Sequence, residues 1–193
     1  MQPPRPQHRK KCKRYNEPWQ AHAFTFSCFG RKPFLSRDRC RTWFLESLDA
    51  AREHTPFDLW AYVIMPDHIH LVLLPHINVT TSDILCSIKE PMAKRAIAWV
   101  RKNAPQFLPR MARHHTEGKV SHHFWLRGGG YDRNLRSISD VHEKISYVHA
   151  NPVRRGLVSR PEDWPWSSAR QWVDGGNEPI RIDRDSLPPL DHI

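Results

Sequence analysis

Two apolar segments, FDLWAYVIM (Phe57 to Met65) and HIHLVLLP (His68 to Pro75), are separated by only Pro66 and Asp67. A parallel pair needs a crossover of a dozen or more residues, whereas Pro-Asp is turn chemistry, so these segments are predicted to be antiparallel strands joined tightly. HAFTFSCF (His22 to Phe29) alternates with period two and predicts another strand. Any fold for this chain must therefore be built around an antiparallel sheet.

The intervening segments have helical spacing. Arg37 to His54 carries Trp43, Phe44, Leu48 and Ala51 at that spacing, with Ser36 as the expected N-cap. Thr81 to Asn103 opens on Thr, Ser and Asp and repeats apolar residues at Ile84, Leu85, Ile88, Ile97 and Val100, while Pro91 predicts a kink or a split. Residues 104–123 show no periodicity and read as a loop. FWLR (Phe124 to Arg127) reads as a fourth strand ending in Gly128-Gly129-Gly130. A third helix is expected from about Ser139 to Ala150, capped by Ser137 or Ser139 and stopped by Asn151-Pro152. The order βαββαβα predicts an α+β fold, a ferredoxin-like antiparallel sheet with helices on one face.

At 193 residues the chain suits one domain, 21–173, between a basic arm over 1–20 and an acidic tail over 174–193. Six Lys and Arg and no acid lie in residues 1–16, and residues 1–173 hold 28 basic against 15 acidic side chains, a net of +13. Such an excess favours a polyanionic partner, because each cation that neutralises a phosphate releases condensed counterions. The apolar run Leu59 to Met65 is far shorter than the roughly 20 residues that span a bilayer, and the start of the chain has no apolar signal stretch. The expectation is a cytoplasmic, nucleoid-associated protein without a membrane partner. Four cysteines with no CxxC pair argue against a disulfide framework and a Cys-rich zinc site.

His68 and His70 share one face of their strand while Ile69 points to the other, which makes half a metal site. Asp67 reads either as a further ligand or as a turn carboxylate. In the third helix Val141, Ile145 and Val148 form the core stripe, and Tyr147 and Asn151 form a separate i, i+4 pair. Taken alone, the first pair is ordinary polar alternation, and the second is a half-buried aromatic with a helix cap. His149, a candidate base, lies about 200° around the helix from Tyr147. Gly128 to Gly130 lacks the setting and the Lys-Ser/Thr of a phosphate loop and reads as a turn or a close approach of DNA backbone. His114, His115, His122 and His123 lack companion ligands and read as loop residues, and Trp164 and Trp166 are expected to pack the C-terminal segment.

Together these pieces resemble a known family. MPDHIHLVL (Met65 to Leu73) resembles the HUH motif of single-tyrosine insertion-sequence transposases. WLRGGGYDRNLR (Trp125 to Arg136) and YVHANPVRRGLVSRPEDWPWSS (Tyr147 to Ser168) resemble the REP-associated tyrosine transposases, the branch linked to repetitive extragenic palindromes. The similarity runs from about Phe24 to Ser168. It implies a metal-dependent endonuclease and strand transferase acting on single-stranded DNA beside a hairpin, with REP-like palindromes as substrate. It further implies His68, His70 and Asn151 as ligands of a divalent metal ion, Mg2+ or Mn2+, and Tyr147 as the nucleophile that forms a 5′-phosphotyrosine. Candidate DNA contacts are Arg9, Lys10 and Lys11 in the arm, Lys94 and Arg95 in the second helix, and Arg154 and Arg155 after the third. The resemblance favours a monomer over a homodimer. Two other readings are a non-catalytic nucleic-acid-binding regulator on the same fold and a phosphoesterase using activated water.

Overall fold

The computed structural model describes residues 17, 19–116, 118–128, 130–176 and 179–190. The basic residues Arg9, Lys10 and Lys11 lie outside them. Four antiparallel strands, β1 (Ala21–Ser27), β2 (Phe57–Ile64), β3 (His68–Pro75) and β6 (Tyr131–Leu135), form one sheet in the order β2-β3-β1-β6. A small hairpin, β4 (Ala112–His114) with β5 (Val120–His122), stands apart. The predicted tight pairing of β2 with β3 is present, with Val63 opposite His70 and Ile64 opposite Ile69.

Period-two alternation sorts the sheet into two faces. Phe24, Phe26, Tyr62, Ile64, Ile69, Leu71 and Leu73 pack with α1 (Asp38–His54) and α2 (Thr81–Asn103) into the larger core. Ala21, Ala23, Ala61, Val63 and Val72 face the other way and are covered by Val141, Ile145 and Val148 of α3 (Ile138–His149). The one-face arrangement of helices therefore holds for α1 and α2, and α3 lies on the opposite face. The reason is in the side chains: that face is apolar and largely made of Ala and Val, so it needs cover and lets a helix approach closely. Burying each of the three α3 side chains contributes roughly 1.5–3 kcal/mol.

Several local expectations change. The fourth strand of the sheet is β6, not Phe124–Arg127, which makes one isolated bridge from Trp125 to Cys28 before the bend at Arg127-Gly128. Gly130 is where the chain meets the sheet. It has φ +78°, and a Cβ there would lie 2.1 Å from the Thr25 carbonyl oxygen, so the close approach is by the protein's own strand. The segment 104–123 contains a 3-10 helix (Pro105–Met111) and the β4/β5 hairpin. α2 runs unbroken through Pro91, with Ile84, Leu85 and Ile88 before it and Met92 and Ala96 after it buried on one side. Thr80 and Asp83 form a capping box at its start. Ser36 does not cap α1, whose N-cap position is Arg37, whereas Ser137 caps α3 by accepting from the Asp140 N–H. Asn151-Pro152 does not end the helical path: α4 (Asn151–Arg154) follows at once.

The acidic segment 174–193 is docked rather than a tail over much of its length. Ile180, Ile182 and Leu187 are buried, and Asp183 accepts the Leu59 N–H at 2.8 Å and bonds with both carboxylate oxygens to the Arg52 guanidinium. Upstream, the Ile64 N–H donates to the Trp166 carbonyl at 2.9 Å and the Ser168 N–H to the Tyr62 carbonyl at 3.0 Å. Together these bonds cover the edge of β2, which would otherwise offer unpaired backbone groups. Trp164 and Trp166 both lie against Arg41, each ring centroid 5.2 Å from its guanidinium carbon, as expected of residues that fasten this segment.

Candidate active site

His68 opens β3, next to the β2–β3 turn, and pairs with Ser27 at the end of β1, while His70 pairs with Thr25. Both rings are buried on the α3 face of the sheet. Their Nε2 atoms converge to 3.0 Å. Each Nδ1 is held from behind: that of His68 donates to Asp67 Oδ1 at 2.8 Å, and that of His70 lies 2.8 Å from Thr25 Oγ1. Asp67 thus orients a histidine, which answers the choice between ligand and turn carboxylate that the sequence leaves open.

The protonation pattern follows from these partners. A carboxylate only accepts, so His68 carries a proton on Nδ1, and the neutral ring has its lone pair on Nε2. His70 then donates its Nε2–H to His68 and accepts from the Thr25 hydroxyl. A hydroxyl both donates and accepts, so Thr25 supports either tautomer of His70. Burial, then the neighbouring His68, Lys144 and Arg155, pushes His70 down to about 3, which keeps it a neutral imidazole near pH 7.

α3 lies across this face. Lys144 and Arg155, on either side of Tyr147 in sequence, both act electrostatically on His70. Tyr147 is 46% exposed, with Lys144 Nζ 4.5 Å and the Arg154 guanidinium carbon 4.0 Å from its ring centroid. Asn151 donates its amide hydrogens to the carbonyls of Tyr147 at 3.1 Å and Val148 at 3.0 Å. It therefore caps α3, and its amide oxygen is directed away from those carbonyls. Burial, followed by Arg133, lowers Lys144, while Asp140 opposes the shift. Among the described residues no three His, Cys, Asp or Glu side chains form a metal-binding group. The sheet supplies two imidazoles, and the end of α3 carries the Asn151 amide.

Other sequence candidates fall elsewhere. His149 is buried on the far side of α3, with Nε2 2.9 Å from Ser168 Oγ, and burial pushes it down to about 4. Lys94 pairs with Glu90 at 2.6 Å, and Arg95 pairs with Glu46 and covers the Trp43 ring at 4.8 Å. Both lie on α2, across the sheet from the histidines; of the predicted cations among the described residues, Arg155 acts on His70 and Arg154 lies against the Tyr147 ring. His115 and His123 each lie 2.8 Å from Ser121 Oγ within the small hairpin region. Thr25 and Lys144 escape the sequence reading. Thr25 is 45 residues from its partner, and Lys144 has the appearance of any surface lysine in a helix.

The family described as "Transposase IS200 like" matches residues 19–128. A provisionally named REP-associated tyrosine transposase of Haemophilus influenzae is 26% identical over 165 residues, covering 77% of this chain and 88% of that protein. The REP-associated tyrosine transposase of Escherichia coli K12 is 29% identical over 126 residues, 65% of this chain and 62% of its own. A solved REP-associated tyrosine transposase bound to a REP hairpin superposes with a TM-score of 0.65 at 20% identity, covering 96% of this chain and 92% of the other, and so shares the fold. No helix among the described residues is long and apolar enough to cross a membrane. With the family match extending over more than half of its length, the chain belongs to the IS200-like transposases, and within them it is similar to the REP-associated tyrosine transposases.

Proposed function

We propose that the protein cleaves and rejoins single-stranded DNA beside a hairpin, REP-like palindromes being the natural substrate class, with Tyr147 as nucleophile and a divalent metal ion held by His68, His70 and Asn151. The observation that carries this reading is the convergence of two Nε2 atoms to 3.0 Å with both Nδ1 atoms held. Two cis ligands of an octahedral ion at about 2.1 Å lie ~3.0 Å apart, so the donor spacing fits such an ion. Carboxylate or hydroxyl support behind a ligating imidazole is the usual second layer of a metal site. Two imidazoles and an amide oxygen suit Mn2+ on softness grounds and also accept Mg2+.

When bound, the ion supplies polarisation of a non-bridging phosphate oxygen. The rest of the task falls to side chains. With Nε2 as a ligand, His70 would carry its proton on Nδ1 and donate that N–H to the Thr25 hydroxyl. Arg154 and Arg155 offset phosphate charge beside Tyr147. The Tyr147 oxygen attacks phosphorus, its P–O bond forms as the P–O3′ bond breaks, the phenolic proton passes to solvent and O3′ takes one up, and a 5′-phosphotyrosine and a free 3′-hydroxyl result. A phenolate is a better leaving group than an alkoxide, so attack by a 3′-hydroxyl readily reverses the step and rejoins the strand. The test is to incubate the protein and Mn2+ or Mg2+ with hairpin-bearing oligonucleotides. A covalent adduct that requires the metal, and is lost in Tyr147→Phe and His68→Ala, supports the proposal. DNA binding indifferent to chelator and to His68→Ala, with no adduct, is the result expected of a regulator instead.

A further inference from the structure

The GGGYDRN stretch is not accounted for by the metal and nucleophile roles above. Its Gly130, lacking a Cβ, lets the chain run against the Thr25 carbonyl, and the next residue, Tyr131, enters β6 directly opposite Thr25. Thr25 is in turn opposite His70. Residues paired across neighbouring antiparallel strands share a face, so His70, Thr25 and Tyr131 form one row across β3, β1 and β6 on the side covered by α3. Two strand spacings put Tyr131 about 10 Å from His70. The same parity holds two residues along β6, where Arg133 bonds Asp140 of α3 at 2.8 Å.

Lys144 joins this row to the nucleophile. Its ammonium is 5.7 Å from the Tyr131 ring centroid and 4.5 Å from that of Tyr147, so it stands between the two tyrosines. The charged groups acting on it are Arg133, Asp140 and Arg154. Asp140 is already engaged by Arg133 and by the Arg136 N–H. Among the described residues Lys144 has no carboxylate within ion-pair distance. A half-buried ammonium flanked by Arg133, Arg154 and two π faces, whose neighbouring carboxylate Asp140 is bonded elsewhere, is a positive centre that an anionic oxygen suits. Tyr131 is 50% exposed and offers its ring to a planar ligand at the same place.

We propose that Tyr131 and Lys144 form a subsite for an unpaired nucleotide flanking the scissile phosphate, the base stacking on Tyr131 and its phosphate pairing with Lys144. The subsite would hold the strand in register with Tyr147, and it gives the tyrosine of the GGGYDRN stretch a role in substrate binding. The assignment rests on the strand-cleavage reading above, and the two are separable by experiment.

The experiment measures the affinity of the full-length protein for a DNA hairpin with single-stranded flanks, in which abasic sites are placed one at a time along the flanks. Wild type, Tyr131→Ala, Tyr131→Phe and Lys144→Gln are compared after melting curves establish that each is folded. Tyr131→Ala should weaken binding about tenfold, within the range of base–aromatic stacking, and Tyr131→Phe should bind like wild type. One abasic position should abolish the difference between wild type and Tyr131→Ala. Lys144→Gln should reduce the slope of log affinity against log salt by about one. The subsite is overturned if the Tyr131→Ala loss is absent or survives every abasic position, if Tyr131→Phe loses as much, or if Lys144→Gln leaves the salt slope unchanged. Adduct formation by wild type on the unmodified oligonucleotide reports separately on strand cleavage: its absence alongside the predicted affinity pattern would refute the cleavage reading and leave the binding subsite standing.

Discussion

Thr25 Oγ1 lies 2.8 Å from His70 Nδ1, a hydrogen bond across adjacent strands that places a hydroxyl behind one of the two converging imidazoles. It fixes the ring plane of His70, and it gives that ring a partner in whichever tautomer it adopts.

Thr25→Val keeps the shape of the side chain and removes this partner. Apparent metal affinity should fall about 10- to 100-fold, the usual cost of removing the group behind a ligating histidine. Asp67→Asn should act in the same direction through His68. Titration of Mn2+ against adduct yield checks both. An unchanged midpoint in Thr25→Val would show that the hydroxyl does not support a metal ligand.

Gly130→Ala combines a left-handed backbone with a Cβ set 2.1 Å from the Thr25 carbonyl oxygen. The conformation alone costs an alanine about 1–2 kcal/mol, and the displaced strand adds to that. For a chain of this size each kcal/mol lowers the melting temperature by about 2–4 °C, so a fall of about 5 °C or more is expected in a thermal melt. Gly156→Ala is the comparison, because its φ of +64° is similar but no atom lies within 4 Å of an added Cβ. It should cost less.

Stability should fall with acid through His149. Its folded value, near 4, lies below the ordinary 6.5, so the unfolded chain binds the proton more readily. The contribution is fully present above about pH 6.5, is lost progressively as the pH falls toward 4, and is on the order of 3 kcal/mol. His70 adds a loss of the same sign that extends lower. Urea unfolding of wild type and His149→Gln between pH 4 and 7.5 checks the assignment. The variant retains a polar partner for Ser168 and should show the shallower profile.

Deleting residues 1–16 removes six basic side chains. Binding to single-stranded DNA should weaken, and the salt slope should drop by up to roughly 0.7 for each phosphate that the arm neutralises in the intact protein. Cleavage at saturating DNA should stay the same, because the His pair, Tyr147 and Asn151 all lie in the folded domain. A lower cleavage rate at saturation would give the arm a part in the chemistry.

How much of this is legible in the sequence differs from element to element. Strands β2 and β3 are readable because dense apolar character is interrupted only by Pro-Asp, and the bounds of α2 because capping residues mark its start. β6 is not: YDRNL has the polarity of a loop, and what holds it is pairing with β1 and the buried bond of Asp132 with His22 at 2.7 Å. The His68/His70 pair and the Tyr147/Asn151 pair are readable from local spacing. Thr25, Tyr131 and Lys144 come to the site only through strand order and helix docking, which for Thr25 and His70 is a relationship across 45 residues. Lys94 and Arg95 lie across the sheet from the His pair for the converse reason, since charge in sequence carries no information about which face of the sheet a helix covers.

Peptide mapping of the protein–DNA adduct tests the central claim most directly. After reaction with a hairpin-bearing single-stranded oligonucleotide and Mn2+, followed by nuclease and protease digestion, mass spectrometry should find the nucleotide remnant on Tyr147 and none on the exposed Tyr131 nearby, with no adduct at all in Tyr147→Phe. A remnant on another residue, an adduct that survives Tyr147→Phe, or cleaved DNA released without any protein-bound intermediate would contradict it.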